Sequence, residues 1–169
     1  MTDNNRAYKY LNHSPLGKIT LASDGEALTG LWFDEQKYFP HKLIEESIKA
    51  ELPIFKQTVK WLDIYFSGKE PDFIPPIILN TTPFRKTVYE ILLTIPYGQA
   101  MTYGEIANII AKQKGIQRMS AQAVGGAVGH NPISIIIPCH RVVGADGSLT
   151  GYAGGLDKKI ALLKLERAI

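Results

Sequence analysis

Cysteine, histidine and arginine stand side by side at Cys139, His140 and Arg141, and Cys139 is the only cysteine in 169 residues. A thiol acts as a nucleophile in its thiolate form, and a neighbouring base or cation raises the thiolate fraction. A lone cysteine beside an apolar run is commonly an inert core residue, and "ISIII" (133–137) is such a run, read as a buried strand. Pro138 alters that reading. Proline cannot continue a strand ladder, so the chain turns just before the thiol. Strand ends and the loops after them are where a rigid scaffold displays reactive groups. On a straight strand Cys139 and His140 would point to opposite faces; the turn at Pro138 lets them act together, directly or through a water. A third group, a carboxylate, should orient the imidazole, and spacing alone does not choose among those available. The same residue types suit a cysteine hydrolase, and a structural thiol in a DNA-binding protein is the other alternative.

Positioning a thiol, a base and an acid takes a rigid scaffold. Hydrophobic residues make up 45% of the chain and charged residues 21%, the balance of a globular protein with a real core. No window approaches the roughly 18 apolar residues of a membrane span, and the opening "MTDNNRAYKY" lacks the apolar core of a secretory signal. A single cysteine excludes an internal disulfide framework and a cysteine-built zinc site. A cytoplasmic, reducing location is expected. The charge is uneven: residues 1–82 hold 9 Lys+Arg against 11 Asp+Glu, and residues 83–169 hold 10 against 5. A basic half attracts polyanions, nucleic acid among them, although five excess charges also suit a solvated surface.

Two domains are expected, at 1–82 and 83–169, in an α+β fold. "YKYLNHS", "KITLAS" and "ALTGLWF" read as an antiparallel meander broken at "PLG" and "DG". "HKLIEESIKAE" and "PIFKQTVKWLDIYFSG" read as helices, the second with Val59, Leu62 and Phe66 at helical spacing and Gly68 as its stop. "KEPDFIPPIILNTTP" is extended and connects the domains. Thr82 and Pro83 open a helix with Phe84, Val88, Ile91, Leu92 and Ile95 as its stripe and Pro96 as its end. "TYGEIANIIAK" and "SAQAVGGAVGH", the latter capped by Ser120, suggest a helix-turn-helix with a loose turn. "LDKKIALLKLERAI" is a closing amphipathic helix.

"TYGEIA", "AVGGAVGHNP", "IPCHRV" and the "GGL" after a Gly-rich loop resemble, in order and spacing, the O6-alkylguanine-DNA alkyltransferases, from about Thr82 to Glu166. The mixed N-terminal domain fits that family more loosely, and the resemblance makes it ribonuclease H-like. It implies repair of double-stranded DNA bound through the minor groove. A damaged guanine is flipped out, and its O6-alkyl group passes irreversibly to Cys139. The resemblance implies His140 as a base acting through water, Glu166 as its orienter, Asn131 as a brace for the turn and Tyr103 as donor to the guanine ring. The carbonyls of Cys139 and Val142 would accept from the guanine amino group, and the Ala153 N–H would face O6. Ser134 and Tyr152 would line the pocket, and Ala121, Gln122, Gly125 and Gly126 would lie on the DNA-facing helix. The resemblance implies no cofactor, and a monomer suffices; some relatives bind zinc through cysteines of the N-terminal domain, which this chain lacks, so no metal is expected.

Three positions depart from the family pattern. Gln122 stands where an arginine usually fills the gap left by the flipped base. If the helix begins early enough, Arg118 lies one turn before it and supplies phosphate attraction. Ser134 stands where some members have proline, and Ala153 where some have serine. Family relatives that only recognise lesions lack the cysteine, so Cys139 argues against a purely binding role. Alkylation should destabilise the protein by overpacking the site.

Overall fold

In a computed structural model, residues 6–169 are described; Met1–Asn5, the start of the polar opening stretch, lie outside the described residues. The chain divides into two units, the first ending at Asn80 and the second spanning Thr81–Ile169. In the first, β1 (Tyr8–Ser14), β2 (Gly17–Ser23) and β3 (Leu28–Phe33) form the antiparallel meander that their alternation predicts. Ser14 pairs with Gly17 across a tight turn, and Gly17 takes φ 107°, a conformation that favours glycine. The predicted helix over "HKLIEESIKAE" is cut short. It runs only as α1 (His41–Glu46), because Ser47 turns extended and β4 (Ile48–Lys49) pairs parallel with β1 instead. The sheet order is therefore β3-β2-β1-β4.

Helix α2 (Pro53–Phe66) begins at its proline and is followed by Gly68 at φ 87°. Its buried face is Ile54, Phe55, Thr58, Trp61, Leu62 and Tyr65. The predicted stripe was rotated: Val59 and Phe66 are only half-buried. Turning this way buries the larger aromatic surfaces, and Phe55 stacks on Tyr10 of β1 with ring centroids 5.8 Å apart. The proline-rich stretch is extended, and part of it joins the sheet. Leu28 N–H donates to the Pro76 carbonyl at 2.8 Å, and Ile78 N–H donates to that of Leu28 at 3.0 Å.

The second unit opens with α3 (Pro83–Leu92), where the Thr82 side chain accepts from Arg85 N–H at 3.2 Å. The helix stops before the expected Pro96. Thr94 and Ile95 donate to Ile91 and Leu92 in tighter i→i−3 turns, which keeps Ile95 buried while the chain turns toward the proline. β5 (Met101–Thr102) leads into α4 (Tyr103–Lys114), capped by the Thr102 hydroxyl and ended by Gly115 at φ 65°. Helix α5 (Ala121–Gly129) is capped by Ser120 and packs on α3 and α4. Tyr89, buried in α3, donates its hydroxyl to the Ala127 carbonyl of α5 at 2.8 Å.

"ISIII" is buried but is not a strand. Ile137 N–H reaches the Ile133 carbonyl at 3.1 Å, and Ile135 takes φ 69° within consecutive turns. A 3-10 turn (Cys139–Arg141) follows, then β6 (Val142–Val143), parallel to β5. A loop from Gly144 leads to α6 (Leu156–Leu165), whose buried residues are Lys159, Leu162 and Leu163. Among the described residues no helix is long and apolar enough to cross a membrane.

Candidate active site

The turn is built by Asn131. Its Nδ2 donates to the Ile137 carbonyl at 2.8 Å, and its Oδ1 accepts from Ile133 N–H at 3.0 Å. One amide thus closes both ends of the segment, replacing the ladder partners that a strand would have had. Ile135 sits in the left-handed region, which a β-branched residue rarely adopts and which costs about 1–3 kcal/mol. Burial of all four isoleucines holds it there. Cys139 and His140 are consecutive residues of a 3-10 turn, closed by Arg141 N–H to the Pro138 carbonyl at 3.0 Å.

His140 is fully buried, with Nε2 2.5 Å from Glu166 Oε2. The other carboxylate oxygen accepts from Arg141 Nε at 2.8 Å and from Gly98 N–H at 3.1 Å. Gly98 takes φ 78°, and a Cβ there would stand 3.1 Å from the Glu166 carbonyl, so only glycine fits without strain. Burial pulls the His140 pKa below the ordinary imidazole range, against the opposing pull of Glu166. The imidazole is therefore neutral near pH 7. With Nε2–H donated to the carboxylate, its basic lone pair is on Nδ1.

Cys139 is 4% exposed. Burial pushes its thiol pKa up, while a hydrogen bond from Asn131, the Lys159 charge, its own backbone and the Tyr152 hydroxyl pull it partly back. Tyr152 lies beside Cys139 and Ser134, and burial raises its hydroxyl pKa well above the ordinary phenol range. Lys159 is buried too. Its Nζ donates to the Val142 carbonyl at 2.6 Å and to the Thr150 carbonyl at 3.1 Å, and burial pulls its pKa down. The Cys139 carbonyl accepts from Val142 N–H. The carbonyls of Cys139 and Val142 thus each hold one donor, and each has a second lone pair for another.

The β5–β6 pairing matters for Tyr103. It ties the residue before α4 to the strand after the reactive turn, and the Tyr103 hydroxyl accepts from Thr150 Oγ1 at 3.1 Å. Ala153 lies half-buried in the loop before α6. On α5, Ala121, Gln122 and Gly126 are exposed, whereas Arg118 lies outside the helix, before its Ser120 cap. Gln122 and Arg118 therefore do not share a helical face through a turn-to-turn spacing. A Cβ at Gly125 would rest at an ordinary 3.8 Å from the Tyr103 ring, and one at Gly126 would meet nothing within 4 Å. Packing within this unit demands neither glycine.

Three residues of the cluster were missed by sequence reasoning. Arg141 reads in the sequence only as a cation beside the thiol. Lys159 lies three and four residues before the buried Leu162 and Leu163, a spacing that pointed it inward. Gly98 gave no signal beyond a turn after Pro96.

The matching family models are the 6-O-methylguanine DNA methyltransferase DNA binding domain over residues 83–168 and the ribonuclease-like domain of the same proteins over residues 7–78. A methylated-DNA–protein-cysteine methyltransferase of Mycobacterium tuberculosis is 45% identical over 155 residues, covering 92% of this chain and 89% of that protein. One of Methanosarcina acetivorans is 44% identical over 161 residues, covering 94% and 97%. The crystal structure of Mycobacterium tuberculosis OGT in complex with DNA matches with TM-score 0.79 at 43% identity, covering 96% of this chain and 93% of that one.

Proposed function

The chain belongs to the 6-O-methylguanine DNA methyltransferase family, and on that premise we propose that Cys139 takes the alkyl group directly from O6-alkylguanine in DNA. The carrying observation is the only thiol of the chain, set next to a fully buried histidine whose Nε2 meets the Glu166 carboxylate. The protein repairs DNA by alkyl transfer, one lesion per molecule.

The target O6 cannot be reached in a stacked duplex, so the guanine leaves the stack at a cost of a few kcal/mol. Gln122, exposed at the start of α5, fills the space it vacates, and the exposed Gly126, with no side chain, lets the helix approach the DNA backbone. Within the pocket the Cys139 S–H proton passes through a water to His140 Nδ1. The sulfur attacks the alkyl carbon, an S–C bond forms, and the C–O6 bond breaks with its electron pair going to the guanine. Lys159 steadies the thiolate as it develops. Tyr103 donates to the leaving purine, the proton held on His140 returns through solvent, and guanine leaves with one N–H in place of the alkyl group. Thiol plus alkylguanine becomes thioether plus guanine, and nothing regenerates the thiol. Holding the sulfur in line with the carbon supplies much of the rate. A lone free thiol suits a reducing compartment, and we place the reaction in the cytoplasm or on the nucleoid.

The test is intact-protein mass after mixing with a duplex carrying one O6-methylguanine. One methyl per protein, mapped to Cys139 and absent from C139A, is expected. Lesion binding without a mass gain would make the chain a recognition module, and turnover of a thioester substrate would make it a hydrolase.

A further inference from the structure

Glu166 is the most heavily engaged carboxylate of the site. It is 3% exposed, its Oε2 meets His140, and its Oε1 accepts from both Arg141 Nε and Gly98 N–H. Arg141 is itself fixed at three points: Nε on Glu166, Nη1 on the Ile95 carbonyl at 2.7 Å, and the guanidinium 5.8 Å over the Tyr97 ring. Guanidinium stays charged at every relevant pH. The enclosed Arg141–Glu166 pair is therefore neutral before His140 is counted.

We propose that Arg141 is a positioning residue that sets the charge of the His140–Glu166 pair, holding Glu166 ionised and already balanced so that His140 rests unprotonated and ready to accept the Cys139 proton. This rests on the alkyl-transfer reading above. Without Arg141, Glu166 would be a buried anion whose nearest remaining means of neutralisation is a proton taken up by His140. A base that already holds a proton accepts no other. The groups facing the imidazole are Glu166 and Lys159 of α6 and its C-terminal cap, Arg141 and Cys139 of the reactive turn, with the Tyr152 hydroxyl beyond the sulfur. Lys159 is committed to the Val142 and Thr150 carbonyls, which leaves Arg141 as the cation hydrogen-bonded to the carboxylate.

A merely structural arginine would lower the rate or the stability equally at every pH. A charge-setting one moves a titration. The experiment uses the full-length protein with 15N-labelled histidine and follows the His140 ring nitrogens against pH, in wild type, R141M and R141K. In parallel, single-turnover methyl transfer from the O6-methylguanine duplex is measured across the same range. Wild-type His140 is expected to stay neutral through pH 7. In R141M it should protonate at a higher pH, and if the proton is held tenfold tighter, about a tenth of the base remains at a pH below its titration. The R141M rate should then recover on raising the pH, while R141K, which keeps the charge but not the fork, should titrate like wild type. The same titration in R141M as in wild type overturns the proposal. So does an R141M rate deficit that is flat in pH. If R141M does not fold, R141K decides: a His140 titration moved to higher pH although the charge is retained overturns it. Failure of the wild type to accept a methyl would instead sink the alkyl-transfer reading, and the ring titration would still report on the charge balance.

Discussion

His140 is buried without charge, and burying it this way makes stability depend on pH. An unfolded histidine titrates near pH 6.5, whereas the folded one is held lower by burial. Above about pH 6.5 both states are neutral and stability is fully present. As pH falls below that value the unfolded chain binds a proton that the folded chain refuses, and stability drops until the folded value is passed. Cys139 works in the opposite sense. Its folded pKa is raised by burial, so its contribution is full below the unfolded thiol value and is lost as pH rises through the folded one. The expected curve of melting temperature against pH is a dome with both limbs traceable to one turn. C139A should flatten the alkaline limb and H140Q the acid limb; an acid limb unchanged in H140Q would mean that other groups produce it. The alkyl-transfer rate should likewise hold its neutral value below the usual imidazole range.

At the scale of elements, caps and stops were legible because each is a local chemical event. Thr82 and Ser120 accept from the N–H three residues on, and Gly68 follows α2 at φ 87°, as their residue types predict; Thr102, read as part of the helix, caps it instead. What was not legible depended on distant partners. "ISIII" has the composition of a buried strand, but the Asn131 amide folds it into turns, and β-branched composition records burial rather than ladder formation. Ile48–Lys49 left the helical pattern because β1 offered an open edge. In the site, family resemblance pointed to Cys139, His140 and Glu166, while no local pattern tied Arg141 to a carboxylate 25 residues away. Whether Arg118 shares a face with Gln122 likewise depended on where α5 begins, and the Ser120 cap, two residues after Arg118, places that start beyond it. The consequence can be measured. Q122A should slow transfer from duplex DNA up to about tenfold, the scale of losing a hydrogen bond of about 0.5–1.5 kcal/mol to the base left unpaired, and leave reaction with free O6-methylguanine base unchanged. R118A should instead reduce the salt dependence of DNA binding by about one phosphate contact. Equal slowing of the duplex and free-base reactions by Q122A would move it from base flipping to pocket shape.

For the whole molecule, chemistry and stability draw on the same few residues. The second unit closes its core on a turn that contains the nucleophile, so the group that reacts is also a group that packs. The Cys139 sulfur is enclosed by Asn131, Tyr152 and the Lys159-held loop, with His140 and Glu166 locked behind it. An added methyl has to displace one of these neighbours or the turn itself. Overpacking a tight site costs about 1–3 kcal/mol, and each kcal/mol moves the melting point of a chain of this size by about 2–4 °C. The methylated protein should therefore melt several degrees below the unmodified one, and protease susceptibility should rise first around residues 144–155, whose Thr150 carbonyl depends on Lys159. Larger alkyl groups should lower the melting point further, in order of volume. Equal melting points before and after methylation would mean that the pocket already holds space for a methyl, and a spent molecule would then persist folded, still able to occupy lesions it can no longer repair.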